Sequence, residues 1–222
     1  MLKVEYLEAW GFKHAIRGMR NPHNSWNKSD SWVDRSTGKE IYIVGDNDLT
    51  LMRKLYKAGT EHRKYLRQIF VSMDITAPLY WWKQFDTYKV GVTTDSCSTM
   101  HTLMNKEFKS DDFSFDSLLK GPNEDYVEEL LECLNDIREI YINYDSMVEE
   151  YGNNYNLSKS DIQQALYEML PSAYNQKRTV TMNYENVFNI IQQRKNHKLK
   201  EWNTLIDELL TLPYVTDILG KE

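Results

Sequence analysis

Two segments of the chain carry side chains whose types and spacing suit an anionic ligand. Residues 192–200 read Gln-Gln-Arg-Lys-Asn-His-Lys-Leu-Lys and place cations within a helical pattern. Arg194 in this run is a planar donor that can form two parallel hydrogen bonds to a phosphate or a carboxylate. Residues 94–102 form a hydroxyl-rich loop, and hydroxyls with backbone amides can hold a phosphate. Each segment also has a plain structural interpretation, as a solvated helix face and as a simple turn.

Two single residues could also act on a substrate. His62 follows Gly59-Thr-Glu beyond a predicted helix end, where a lone histidine is usually a surface or capping residue. Cys97 is interpreted as a small buried thiol rather than a nucleophile. The chain has no glycine-rich phosphate loop, no zinc-binding cysteine pair and no nucleophile elbow. Standard motifs therefore assign neither a reaction nor a metal ion.

The elements that must position these residues can be predicted from periodicity and caps. Residues 69–75 alternate apolar and polar side chains, which predicts a half-buried strand. Asp46 or Asp48 can cap a helix, and Ser158 with Asp161 forms a capping box for another. The predicted strands cover residues 2–7, 40–44 and 69–75, and the predicted helices cover about 46–59, 78–89, 123–152, 158–171 and 184–210.

The composition limits the class of protein. The 222 residues contain 33 acidic and 27 basic side chains, and a net charge of −6 argues against a broad surface for nucleic acid. Two cysteines exclude a disulfide framework and suit a reducing cytosol. We expect neither a signal peptide nor a membrane span, because charges interrupt the apolar stretches. The pattern of strands and helices predicts an α+β fold in one compact unit.

The segment from about Gly59 to Gly91 resembles the flavin-dependent thymidylate synthases. In that family a His precedes a strand that ends in Pro, and Arg-Gln-Trp then leads into an Arg-His-Arg triplet and a phosphate-binding run. His62, Pro78 and Gln84 fall on the His, the Pro and the Gln without a gap.

Two further segments extend the resemblance to roughly half the chain. Leu170-Pro171, the Thr181-Met-Asn183 segment and Arg194 resemble the downstream Leu-Pro, Thr-x-Asn and nucleotide-binding Arg of the family. Arg17-Gly-Met-Arg20 resembles its N-terminal Arg-x-x-Arg. The matches occur in the family's order along the chain.

The resemblance implies a fold, a reaction and a set of partners. The fold is a single domain over residues 1–222, with helices around a small, mostly antiparallel sheet and a helical insertion at about 102–156. The protein is expected to transfer a methyl or hydroxymethyl group to C5 of dUMP or another pyrimidine deoxynucleotide. FAD is the expected cofactor, with methylenetetrahydrofolate and NADPH as co-substrates. A homotetramer in the cytoplasm of a bacterium or a phage-infected host is expected, without a membrane, metal or nucleic-acid partner.

The resemblance also implies roles for individual residues. The flavin contacts are expected to be His62, Gln84, Tyr88, Lys89, Asn183 and Asn189. The substrate contacts are expected to be Arg20, Lys89, Asp95, Ser96, Ser98 and Arg194, and Arg194 is the expected catalytic residue at the pyrimidine.

The chain departs from the family pattern at several cationic positions. The Arg-His-Arg triplet is Thr87-Tyr88-Lys89, and Tyr167 and Glu185 stand where the family has Arg. Each lost bidentate phosphate contact costs about 1.5–3 kcal/mol. Residues 92–101 fit the phosphate-binding run in two registers, one ungapped and one shifted by a residue.

Three functions remain open from the sequence. The first is a divergent flavin-dependent nucleotide methylase or hydroxymethylase. The second is a catalytically inactive nucleotide-binding or regulatory protein that keeps the fold. The third is a helical module whose basic residues 192–200 meet nucleic acid, which the negative net charge disfavours.

Overall fold

The computed structural model describes residues 2–120, 123–152 and 156–220. The strands are β1 (Lys3–Trp10), β2 (Trp32–Asp34), β3 (Ile41–Ile43), β4 (Phe70–Pro78), β5 (Val92–Ser96) and β6 (Asn175–Asn183). The helices are α1 (Phe12–Arg20), α2 (Asp46–Lys57), α3 (Leu79–Phe85), α4 (Thr99–Thr102), α5 (Glu124–Tyr151), α6 (Lys159–Met169), α7 (Tyr184–Arg194), α8 (Lys200–Leu210) and α9 (Val215–Leu219). No helix in these ranges has the length and apolar character needed to cross a membrane.

The strands form two small sheets. One sheet has the order β1-β4-β6-β5, and β2 pairs with β3 antiparallel in the other. The Tyr184 N–H donates to the Ile69 carbonyl at 2.9 Å, and the Leu79 N–H donates to the Tyr174 carbonyl at 3.0 Å. Residue numbers along β4 therefore rise as those along β6 fall, so this pair is antiparallel. The predicted α+β class with a small antiparallel sheet is confirmed.

The period-two prediction for β4 is confirmed. Ile69, Val71, Met73 and Ile75 are at most 1% exposed, because alternate side chains of a strand point to the same face. Pro78 is the last residue of β4 rather than the first of a helix. The following helix ends at Phe85, so the prediction that it reaches Lys89 is wrong.

Two helices have the caps that the sequence predicts, whereas a third helix has a different N-cap. Ser158 and Asp161 form the predicted capping box at the start of α6, and α5 ends at Gly152 as expected. At α2 the N-cap is Gly45, and neither predicted aspartate caps the helix. Asp48 instead turns into the interior, where it receives hydrogen bonds from other segments.

The chain divides into two compact units. The first comprises residues 76–85 and 96–178, and the second comprises 2–75, 86–95 and 179–222. The boundaries fall within β4, β5 and β6 and directly after α3. The predicted organisation, a single domain with a helical insertion at about 102–156, stays a prediction.

Each unit has its own hydrophobic core. In the first unit α5 packs along α6 over a cluster of buried apolar side chains: Leu103, Phe108, Phe113, Phe115, Val127, Leu134 and Leu166. In the second unit the inner face of β4 is buried together with apolar residues of three helices: Ala15, Ile16, Val187, Ile190, Trp202 and Leu205. Burial of such side chains contributes about 1.5–3 kcal/mol each.

Candidate functional site

A cleft in the second unit brings together residues that lie far apart in the sequence. It encloses about 990 Å3 between the end of α1, the turn after it, the outer face of α2 and residues 61–68. Its basic lining residues are Arg20, His23, Lys28, Lys54, His62 and Lys64, and Glu61 is its acidic one. We call this feature the cationic cleft. Two predicted site residues, Arg20 and His62, therefore line the same space.

The lysines of the cationic cleft keep their charges available. Within the described ranges, the ammonium groups of Lys28, Lys54 and Lys64 pair with no carboxylate. His62 is exposed in the turn after Gly59, and its backbone N–H donates to the Gly59 carbonyl at 3.1 Å. The sequence does not indicate that these lysines lie close together, because their convergence depends on how α2 lies against the end of α1.

Arg20 differs from the other cations because its charge is already balanced. It is 4% exposed, and its Nε donates to the Asp48 carboxylate at 2.6 Å. Ser29 and Ser31 donate hydroxyl hydrogen bonds to the second oxygen of Asp48, each at 2.6 Å. Arg20 was predicted to contact substrate, but its strongest partner is a buried carboxylate.

The environment of Asp48 favours its charged form. Burial alone raises the pKa of this carboxyl, but the hydrogen bonds from Ser29, Ser31 and Arg20 and the positive charge of Arg20 outweigh it. The pKa of Asp48 consequently lies below its ordinary value. The pair holds residues 29–31 against α1 and α2.

Arg194 lies at the end of a helix that is shorter than predicted. The helix predicted over residues 184–210 is wrong, because α7 ends at Arg194 and α8 begins at Lys200. Asn196 has φ +64°, a left-handed conformation that Asn adopts more readily than most residues and that stops a helix. The break lets α8 place a tryptophan beside the Arg194 side chain.

Two aromatic rings and a phenol hydroxyl hold the Arg194 guanidinium. Its Cζ lies 4.5 Å from the Trp202 ring centre and 5.4 Å from the Tyr88 ring centre. The Arg194 Nε donates to the Tyr88 hydroxyl at 3.0 Å, and that hydroxyl lies 3.0 Å from Gln193 Oε1. We call these four residues the aromatic cage.

The segment that carries Tyr88 approaches the start of α7 closely. Gly91 has φ +74°, and a Cβ there would lie 2.6 Å from Asn183 Nδ2. The Asn186 side chain donates to the Gly91 carbonyl at 3.1 Å. Asn183, predicted to contact flavin, caps α7 by accepting the Asn186 N–H at 3.2 Å. Asn189 lies half-buried on the same helix.

The remaining predicted residues lie on α3, on β5 and in the segments that follow these two elements. Lys89 and Asp95 are exposed in the second unit. In the first unit Gln84 is half-buried on α3, Ser96 ends β5, and Ser98 precedes α4. The predicted roles of these five side chains at a ligand stay predictions.

Cys97 and Glu185 are two further positions at which the structure can be compared with the sequence. Cys97 is exposed, so the prediction of a buried thiol is wrong, and both Cys97 and Cys133 are free. Glu185, where the family has Arg, accepts hydrogen bonds from Arg67 Nε at 2.5 Å and from its Nη2 at 3.2 Å. The negative charge of Glu185 is thus balanced by Arg67.

Among the described residues no group of His, Cys, Asp or Glu side chains could hold a metal ion.

Comparisons with known proteins place the chain in a family. Residues 13–214 match the thymidylate synthase complementing protein family, Thy1. Two crystal structures of thymidylate synthase X from Helicobacter pylori, both with FAD and dUMP, have the same fold at 16% and 17% identity and TM-scores of 0.65 and 0.62. The alignments cover 94% and 93% of this chain and 91% of each structure. No curated protein sequence matches. Because the family match spans nearly the whole chain, this protein belongs to the thymidylate synthase complementing protein family.

Proposed function

We propose that the protein is a divergent flavin-dependent thymidylate synthase. It binds FAD and transfers a one-carbon unit to C5 of a pyrimidine deoxynucleotide, which is dUMP or a variant of it. Membership of the Thy1 family supports this function. The two Helicobacter pylori structures, which are complexes with FAD and dUMP, support the choice of ligands.

The cationic cleft is the observation that carries the proposal. A flavin dinucleotide is large and bears two phosphates, so it needs a long cleft with several cations. At about 990 Å3 the cleft is at the upper end of the usual size of ligand pockets. Lys28, Lys54 and Lys64 supply charge for the phosphates, and His62 lies at the same cleft for the ring system. The donor set therefore fits the cofactor.

The residues of the chain supply position and charge for the reaction. Reduced flavin, when bound, relays the one-carbon unit from methylenetetrahydrofolate, and NADPH is the proposed reductant. Of the flavin contacts that the resemblance implies, His62 lines the cationic cleft, and Tyr88, Lys89, Asn183 and Asn189 are proposed contacts elsewhere in the second unit. Lys89, Asp95 and Arg194 of the second unit are the proposed nucleotide contacts, whereas Arg20 is bound by Asp48. Arg194 orients the pyrimidine and stabilises negative charge on it, because its Nη atoms project beyond the Nε that Tyr88 binds.

We also propose that the protein acts as a homotetramer in the cytoplasm. Several large aromatic side chains of the second unit are at least 41% exposed, among them Tyr6, Trp32 and Phe70, and exposed aromatic residues are typical of interfaces. Trp10 stacks on Phe70 with ring centres 6.0 Å apart. Light scattering at micromolar concentration should give a mass about four times 26.4 kDa. A monodisperse monomer would contradict this assembly.

Binding of FAD tests the function directly. The visible spectrum of the freshly purified protein and a fluorescence titration with FAD should both report a bound flavin. The double variant Lys54→Gln/Lys64→Gln should weaken FAD binding about tenfold, since two charged donors are lost. Lys57→Gln is the matched control, because Lys57 is exposed on α2 but does not line the cleft. Equal effects of both variants, or no flavin binding, would refute the assignment.

A second function is favoured by the replaced triplet. With Thr87-Tyr88-Lys89 in place of Arg-His-Arg, the chain has fewer cations for phosphates, and it could bind nucleotide without catalysis. Such a protein would bind dUMP in calorimetry but form no thymidylate or hydroxymethyl product when FAD, NADPH and methylenetetrahydrofolate are supplied. Product formation would exclude this second function.

A further inference from the structure

We propose that Tyr88 is the positioning residue of Arg194. It fixes the guanidinium in one orientation before any ligand arrives. The inference rests on the proposed function in one respect, which is that Arg194 contacts the pyrimidine nucleotide. The geometry of the free protein carries the positioning itself.

The hydroxyl of Tyr88 is directed by its second partner. A phenol has one proton to donate and lone pairs that accept. Gln193 Oε1 can only accept, so the Tyr88 proton points to it at 3.0 Å. The lone pairs of the Tyr88 oxygen then face the Nε–H of Arg194 at 3.0 Å. A chain of two hydrogen bonds therefore holds the guanidinium at a defined angle.

The rings of Trp202 and Tyr88 also restrict the Arg194 guanidinium, because both lie against it. Trp202 is fully buried, so its ring is a fixed surface, and the Arg194 Cζ lies 4.5 Å from its centre. The Tyr88 and Trp202 ring centres are 6.1 Å apart with an interplanar angle of 63°. An arginine held this way loses little rotational freedom when it binds a ligand, which increases affinity.

The position of Tyr88 in the chain explains why it can act in this way. The segment that contains Tyr88 is anchored at Gly91, whose carbonyl accepts a hydrogen bond from Asn186 of α7. Arg194 ends the same helix. The Tyr88 segment and Arg194 are thus both tied to α7, so their relative position is fixed. In this chain a tyrosine stands at the position where the family triplet has its His, and it supplies an acceptor for the Arg194 Nε–H.

A ligand-free measurement tests the positioning. In a 1H–15N spectrum of the side-chain Nε–H groups, Arg194 should give a signal that exchanges slowly with water, assigned by its loss in Arg194→Lys. Tyr88→Phe should shift this signal and speed its exchange, because the acceptor is gone. Tyr144→Phe is the matched control, since it removes a hydroxyl that bonds the Leu157 carbonyl at 2.7 Å. An unchanged Arg194 signal in Tyr88→Phe would overturn the inference.

A double-mutant cycle tests whether the ligand uses the positioned group. In calorimetry with dUMP, Tyr88→Phe should weaken binding about tenfold, while Tyr88→Phe/Arg194→Ala should bind no worse than Arg194→Ala alone. Additive losses would mean that Tyr88 acts independently of Arg194 and would overturn its role. Failure of the unaltered protein to bind dUMP would count against the proposed function, and the spectrum would still decide the positioning.

Discussion

Arg20 and Arg194 are both expected to bind nucleotide from the family resemblance, but the structure gives them different surroundings. The Arg20 guanidinium faces the buried Asp48 carboxylate at 2.6 Å, so its charge is neutralised within the protein. Arg194 instead lies against the Trp202 and Tyr88 rings, which orient a cation without neutralising it. The comparison teaches that the partner of an arginine decides whether it stabilises the fold or remains available to a ligand.

The largest effect is expected at the Arg20 pair. Asp48→Asn should lower the free energy of unfolding by about 3–5 kcal/mol, because the substitution leaves the Arg20 charge buried without a counter-ion. Chemical denaturation would measure the change. Asp46→Asn makes the same substitution at an exposed position of the same helix turn and should cost at most about 1 kcal/mol. Similar losses in the two variants would remove the distinction between the two arginines.

The next effect is expected at Arg194 and concerns binding rather than folding. Arg194→Ala should weaken dUMP binding about 10- to 100-fold, because a charged donor pair is lost. The free energy of unfolding should fall by only about 1 kcal/mol, the usual size of a cation–π contact. Calorimetry and thermal denaturation measure the two quantities. Lys198→Ala, an exposed cation in the next turn of the chain, serves as the control. A large loss of stability with unchanged affinity would make Arg194 structural.

A smaller effect should follow the protonation of Asp48. The folded-state pKa of Asp48 is lowered by its hydrogen bonds and by Arg20, so its stabilising contribution is complete above the unfolded pKa, about 3.9. That contribution is lost as the pH falls towards the folded pKa. The difference in unfolding free energy between the unaltered protein and Asp48→Asn should therefore shrink below about pH 4. A difference that stays constant down to pH 3 would show that the charge on Asp48 does not matter.

The smallest effect is expected at an exposed ion pair. Arg35 binds Glu40 at 2.7 Å, and about 70% of each side chain is exposed to water. Glu40→Gln should change the unfolding free energy by less than about 1 kcal/mol, since water and salt screen this pair. Denaturation at low and high salt would measure it. A cost as large as that of Asp48→Asn would show that burial does not explain the strength of the Arg20 pair.

Local features of the sequence determined much of the fold. The alternation at residues 69–75 predicts β4 and its buried face, and the Ser158–Asp161 capping box predicts the start of α6. Each of these signals needs only neighbouring residues, because period and caps are properties of a few turns or a single strand. Resemblance to a family likewise identified His62 and Arg194 as candidates.

Tertiary structure alone decided which cations are available and what holds them. The pairing of Arg20 with Asp48, the convergence of Lys54 and Lys64 on one cleft, and the contact of Trp202 with Arg194 join residues from different elements. The sequence carries no local sign of these partners, since burial and distance set the strength of an electrostatic contact. For that reason the sequence identified the charged residues of this protein, whereas the fold determined which charges are neutralised and which remain available to a ligand.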